Sequence, residues 1–253
     1  MIDSRVAVLS RPGGRAMNQD ACGHWQSEAS LCCVVADGAG GHGGGDVASA
    51  LVVRHVIEQA SLAPLARLDE VGDLLLDTNA QLRRHQGDTQ STRDMHSTVV
   101  ALFVDLAGSQ AFWGHAGDSR LYAFREGRLL VQTRDHSVVQ SMVDAGLLMP
   151  GQMRTHPRRS ELHSALGSRP EDLLVTTAAS TWLLQPHDVF LLCTDGLWEF
   201  VEEAEMCSSL RAAKGPEAWL ESLEQLVLQH AAESGKTGHD NFSGIAVWVG
   251  GWH

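Results

Sequence analysis

The feature that most constrains this chain is the segment Asp37-Gly-Ala-Gly-Gly-His-Gly-Gly-Gly45, six glycines in nine residues between the apolar run Leu31-Cys-Cys-Val-Val-Ala36 and a helix-like pattern. Glycine loses more backbone freedom on folding than any other residue, so this density implies unusual dihedrals or a backbone that something approaches closely. The order is strand, glycine turn and helix, with a carboxylate at the strand's mouth. Three ligand types use such a turn. A dinucleotide site, suggested by Gly38-Ala-Gly40-Gly-His-Gly43, also needs an acid about 20 residues on at the end of the next strand, and here Glu58 falls within the helix. A phosphate loop needs Lys-Ser or Lys-Thr after its last glycine, and this turn runs Gly45-Asp46. The third reading makes Asp37 a metal ligand and the glycines the means of bringing backbone carbonyls to the ion. It requires further carboxylates elsewhere.

Length and composition leave room for that chemistry. The 253 residues carry no Pro/Ser linker or low-complexity tract, so one domain over 1–253 is expected. No apolar run approaches the roughly 18 to 20 residues of a membrane span, and Met-Ile-Asp-Ser-Arg-Val lacks the apolar core of a signal peptide. A cytoplasmic protein is expected. Cys22, Cys32, Cys33, Cys193 and Cys207 include no C-x-x-C and read as buried free thiols. The net charge of −12 argues against nucleic acid or an anionic membrane as partner and accords with clustered carboxylates awaiting cations.

Along the chain, residues 5–10 read as a first strand and 21–25 as a second, with the polar segment Arg15-Ala-Met-Asn-Gln-Asp20 between them. Apolar spacing predicts helices over 46–59 and 68–85, with a polar loop at 86–92. Strands at 97–104 and 110–114 are joined by Ala107-Gly108, too short for a crossover, and so pair antiparallel. His115-Ala-Gly-Asp118 ends the second of these, strands resume at 121–124 and 129–132, and Asp135-His-Ser137 opens a helix over 138–145. Residues 147–170 look like an irregular surface excursion, part of a flap over about 140–170. The apolar strand 189–193 runs into Thr194-Asp195-Gly196, echoing Asp37-Gly38. A helix over 216–233 with Pro at its first position precedes Gly238-His-Asp240-Asn241 and a terminal strand, 243–249.

Asp20, Asp37, Asp118, Asp195 and Asp240 thus each lie at a turn beside a strand end. Any one alone would be a cap or turn former; together, with no His or Cys at ligand spacing, they select hard cations such as Mn²⁺ or Mg²⁺ over zinc. Two such ions about 3.5 to 4 Å apart can share a water, lower its pKa and hold it for in-line attack on phosphorus.

The ordered set Arg15-x-x-Asn-Gln-Asp20, Asp37-Gly-x-Gly-Gly-His42, Ser97-Thr98, Gly117-Asp-Ser-Arg120, Asp135-His-Ser137, His156-Pro-x-Arg159, Ala165-Leu-Gly167, Thr194-Asp-Gly-Leu197 and Asp240-Asn241 resembles the PP2C (PPM) family of metal-dependent serine/threonine protein phosphatases in its compact bacterial form. The resemblance covers nearly the whole chain. It implies an α+β fold, a four-layer α-β-β-α sandwich of two stacked, mainly antiparallel sheets flanked by helices. It implies two Mn²⁺ or Mg²⁺ ions plus a possible third. Asp37 would bridge two metals, with the Gly38 carbonyl on one and Asp195 and Asp240 on the other. Asp20 would hold a water at the centre, Asp118 would join Asp195 at the third ion, and Arg15 would clamp the substrate phosphate bidentately. Substrates would be phosphoserine and phosphothreonine proteins, partners a bacterial Ser/Thr kinase and its targets, in some members within type VI secretion control; a monomer is expected.

Eukaryotic members often carry Glu where Gln19 stands and His where Ala39 stands, which leaves the general acid here unassigned, with metal-bound water and His42 as the candidates. Two other readings compete. One is a degenerate PP2C-like phosphoprotein-binding module, which would be expected to lack the carboxylates kept here. The other is a GDS-type hydrolase with Ser119 as nucleophile, for which the chain has no Asp-x-x-His. In the flap, Arg154, Arg158, Arg159 and Arg169 suggest a local positive patch, with Arg158 and Arg159 as candidates for phosphoprotein recognition, and Met142, Met149 and Met153 an adaptable contact surface.

Overall fold

The computed structural model describes residues 3–40, 44–87, 93–235 and 238–250. Strands β1 (Ser4–Arg11), β2 (Asp20–Gln26) and β3 (Ser30–Ala39) lead to helices α1 (Gly45–Leu62) and α2 (Leu68–His85). Next come β4 (His96–Ser97), β5 (Val99–Asp105), β6 (Gln110–Ala116), β7 (Arg120–Arg125) and β8 (Arg128–Gln132). Helix α3 (Val138–Asp144), a 3₁₀ turn (Pro150–Thr155) and the short β9 (Thr176–Thr177) and β10 (Trp182–Leu183) follow. The chain closes with β11 (Asp188–Cys193), α4 (Asp195–Trp198), α5 (Glu203–Ala212), α6 (Pro216–Glu233) and β12 (Phe242–Val249).

One sheet runs β1-β12-β11-β7-β8 and the other β10-β6-β5-β3-β2, with β4 on β3 and β9 on β6. The ladders are antiparallel. Strand β3 explains the layering. Its Leu31, Cys33 and Val35 pack with Val100, Leu102, Phe190 and Ile245 between the sheets, while Cys32, Val34 and Ala36 pack with Leu51, Val56 and Leu75 under α1 and α2. A strand buried on both faces reads as a continuous apolar run. On the far side, Phe124, Leu191, Ala246 and Trp248 pack against Leu210, Trp219 and Leu223 of α5 and α6. This is the expected four-layer α-β-β-α arrangement.

Helices α2 and α6 match their expected spans, because an amphipathic period over eighteen residues is a strong local signal. The single strand expected over 97–104 is instead split at Thr98, whose N–H donates to the Asp37 carbonyl (2.8 Å) and whose Oγ1 accepts from Asp37 N–H (2.9 Å). Helices α4 and α5 were not anticipated. Four residues cannot display a helical period, and α5 buries only Met206 and Leu210. The excursion at 147–170 is not wholly superficial. Met153 and Leu166 are buried, and Leu166 exchanges two backbone hydrogen bonds with Ser97 (3.0 and 2.8 Å), tying the flap's return to β4.

Candidate active site

Strands β2 and β3 meet so that Asp20 and Asp37 are direct register partners. Just past Asp37, Gly38 N–H donates to the Gln19 carbonyl (3.1 Å), and a Cβ at Gly38 would stand 1.8 Å from the Gly45 carbonyl oxygen. The first turn of α1 can therefore close on the strand end only over a glycine. Asp118 follows β6 after Gly117, whose φ of 101° turns the chain in a region that favours glycine. The Asp118 carbonyl accepts from Trp198 Nε1 (2.9 Å). Strand β11 delivers Thr194 and Asp195, and Thr194 Oγ1 donates to Asp20 Oδ2 (2.9 Å). Asn241 Oδ1 accepts from Gln19 N–H (2.8 Å), and its Nδ2 donates to the carbonyls of Pro12 (2.8 Å) and Met17 (2.9 Å), fixing the loop that carries Arg15 beside Asp240.

The result is a cavity of about 230 Å³ lined by Asp37, Asp118, Asp195, Asp240, Gly38 and Arg15, with Gln19, Thr98 and Asn241 among its other walls. Asp20 does not line it but stands behind, in register with Asp37. Burial raises the Asp20 pKa to about 6, opposed by its Ser243 and Thr194 hydrogen bonds and reinforced by Asp240. Burial and then the neighbouring carboxylates hold Asp37, Asp118 and Asp195 well above the usual carboxylate range. Asp20 Oδ1 and Asp195 Oδ1 are buried with no hydrogen-bond partner among the described residues. Carboxylates that raise one another's pKa and leave oxygens unsatisfied fit divalent hard cations, whose charge would reverse the repulsion. Among the described residues no three His, Cys, Asp or Glu side chains close into a ready-made cage. They ring open space instead, which suits an ion that keeps several of its waters.

Comparison with known proteins accords with this geometry. A family sequence model described as Protein phosphatase 2C matches residues 13–237. The chain belongs to the protein phosphatase 2C family. It is similar to the serine/threonine protein phosphatase PstP of Mycobacterium tuberculosis, 34% identical over 183 residues, which is 70% of this chain and 34% of PstP. The chain thus spans about a third of that relative's length. Its fold is similar to that of PppA, a key regulatory component of T6SS in Pseudomonas aeruginosa, with TM-score 0.76, 32% identity and 97% of each chain covered. It is also similar to the catalytic domain of PstP solved with two manganese ions, with TM-score 0.79, 26% identity, and 99% of this chain and all of that one covered.

Other residues of this phosphatase 2C chain divide more sharply than their motifs suggested. Arg15 sits at the carboxylate cavity with its guanidinium on Asp240 (2.9 Å). Arg159 reaches the adjoining cavity beside Arg15, Asp195 and Asp240, and pairs with Glu199 (2.8 Å). Arg158 pairs with Glu161 on the exposed flap (2.7 Å). Arg154 pairs with Glu203 and Arg169 with Asp172, so all four flap arginines face a carboxylate and the expected positive patch is neutralised locally. Of the three methionines Met153 is buried, Met142 half-buried and Met149 exposed. Ser119 is 1% exposed with its hydroxyl on Thr98 Oγ1 (2.7 Å), which removes it as a nucleophile. His42 lies outside the described residues. Thr98, Thr194, Trp198 and Asn241 were not singled out as supports; Ser97-Thr98, Thr194 and Asn241 stood within motifs, but which carboxylate each holds depends on strand pairing.

Proposed function

We propose that this protein is a metal-dependent serine/threonine protein phosphatase with a single catalytic domain. The observation that carries the reading is the convergence of Asp37, Asp118, Asp195 and Asp240 with the Gly38 backbone and Arg15 on one cavity. In this reading Asp37, the Gly38 carbonyl, Asp195 and Asp240 would hold two Mn²⁺ or Mg²⁺ ions, with Asp118 and Asp195 at a third. When bound, such ions supply charge stabilisation at phosphorus and an activated water. The chain's own residues do the rest. Asp20, fixed by Thr194 behind Asp37, would hold a water at the centre. Arg15, released from Asp240 when a phosphate arrives, presents its planar fork to the phosphoryl oxygens. Asn241 and Gln19 keep the Arg15 loop in register with β3. Phosphoserine and phosphothreonine segments of proteins are the proposed substrates, a Ser/Thr kinase and its targets the proposed partners. Similarity to PppA motivates a role in type VI secretion control. No helix among the described residues is long and apolar enough to cross a membrane.

The test is hydrolysis of p-nitrophenyl phosphate and a phosphothreonine peptide with added Mn²⁺, abolished by chelator and lost in a folded Asp37→Asn variant. Near-normal turnover by Asp37→Asn at saturating Mn²⁺ would sink the assignment. Phosphoproteomics of a deletion strain would identify the substrates, and unchanged phosphorylation of secretion components would remove the type VI proposal.

A further inference from the structure

Hydrolysis of an aliphatic phosphate monoester leaves an alkoxide, which departs slowly unless a positioned group gives it a proton. The carboxylates above gather where they would hold cations, so the proton is sought from another group. We propose that His96 is the proton donor to the serine or threonine oxygen as it leaves phosphorus. The proposal rests on the phosphatase reading above.

Three observations carry it. First, β4 pairs with the end of β3 so that His96 stands directly opposite Ala39, the residue that follows Gly38. Side chains directly opposite in an antiparallel pair have Cβ atoms about 4.5–5.5 Å apart, so an imidazole from β4 covers the position where Ala39 offers only a methyl. Second, His96 lines a cavity of about 410 Å³ that shares Ala39, Ser160, Leu162 and Ala165 with the carboxylate cavity. A phosphoester seated against the carboxylates with its peptide in the larger cavity would carry its leaving oxygen past this shared wall. Third, the ring is not used to hold the fold. His55, His115, His136 and His230 each place a ring nitrogen on Asp77, the Arg134 carbonyl, Thr176 or the Phe200 carbonyl. Among the described residues His96 Nδ1 is buried without a partner.

Among the described residues, the titratable groups facing His96 across its cavity are Asp94 and His163. Burial is the larger effect and holds the ring below the ordinary histidine pKa, with Asp94 offsetting it in part; an arriving phosphate dianion acts in the same sense as Asp94 and favours the imidazolium. In the step itself, water oxygen bonds to phosphorus as the bond to serine Oγ breaks. The electron pair of that bond stays on Oγ, which takes the imidazolium proton. The attacking water releases one proton, and His96 regains one from solvent through the open cavity.

The experiment compares wild type, His96→Gln and His96→Asn, with His163→Gln as control, at saturating Mn²⁺. Substrates are a phosphoserine peptide, N-acetyl-phosphoserine amide and p-nitrophenyl phosphate, whose nitrophenolate leaves without a proton. Expected is a kcat loss of about 100-fold on both phosphoserine compounds and a change within about threefold on p-nitrophenyl phosphate. Thermal unfolding and calorimetric Mn²⁺ binding should match wild type, and the second variant decides if the first misfolds. Equal losses on all three substrates, or a loss confined to the peptide, would overturn the proposal by making His96 a support or a recognition residue; no loss would overturn it outright. A wild type inactive on every substrate would instead refute the phosphatase reading.

Discussion

Replacing Arg120 by Met tests whether the floor beneath the carboxylates is held electrostatically. Arg120 and Asp135 side chains are 3% and 1% exposed, and the guanidinium meets the carboxylate through Nε and Nη2, both at 2.8 Å. Arg120 also donates to Tyr122 Oη (3.1 Å) and lies 3.5 Å over the Trp198 ring. Removing the cation leaves Asp135 buried and unpaired, which costs about 3–5 kcal/mol, and the lost cation–π contact acts in the same direction, though the two do not add simply. We expect a loss of about 4 kcal/mol for Arg120→Met, a urea midpoint shift of about 1.3 M at a slope of about 3 kcal/mol/M. The assay is urea unfolding of the metal-free protein followed by tryptophan fluorescence. Because Asp135 is then the uncompensated group, Arg120→Met/Asp135→Asn should recover more than half of the loss. A single variant costing under about 1 kcal/mol, or a double variant no better than the single, would refute the reasoning. Trp198 holds the Asp118 carbonyl, so activity of Arg120→Met should fail first at low Mn²⁺.

Gly38→Ala should fold poorly or lose activity, since its Cβ would meet backbone at 1.8 Å; wild-type turnover and melting would show that the strand end can yield. In the metal-free protein, the Asp20 pKa of about 6 against its ordinary 3.8 means the folded state holds a proton that the unfolded state releases, so stability falls as pH rises through that window. The drop due to this group is about 2–3 kcal/mol, absent from Asp20→Asn and flattened by Mn²⁺; melting temperatures that rise equally in both proteins would contradict it. Arg158→Ala, on an exposed pair that solvent screens, should change neither stability nor KM for phosphothreonine peptides. Arg159→Ala should raise that KM several-fold, because Arg159 shares a cavity with Arg15 and Asp240. Equal effects of the two would show that cavity position does not distinguish them.

The sequence by itself determined the parts whose signals are local. Alternation and apolar runs marked β3 and β11, the 3.6-residue period marked α2 and α6, and an Asp-Gly at each strand end marked Asp37 and Asp195 as metal candidates. Each signal lies within one element, so no neighbour was needed to read it. Tertiary structure decided what each of those residues faces. Only the β2–β3 register sets Asp20 behind Asp37 and off the cavity wall. Only the return of the flap onto α4 and α5 sets Arg154 and Arg159 against Glu203 and Glu199, turning an apparent positive patch into paired charge. His96 came opposite Ala39 because β4 breaks from β5 at Thr98 to clamp Asp37. Which strand edges meet is settled by burying three apolar layers at once, over contacts between residues as far apart as β1 and β12, and no window of sequence contains that constraint.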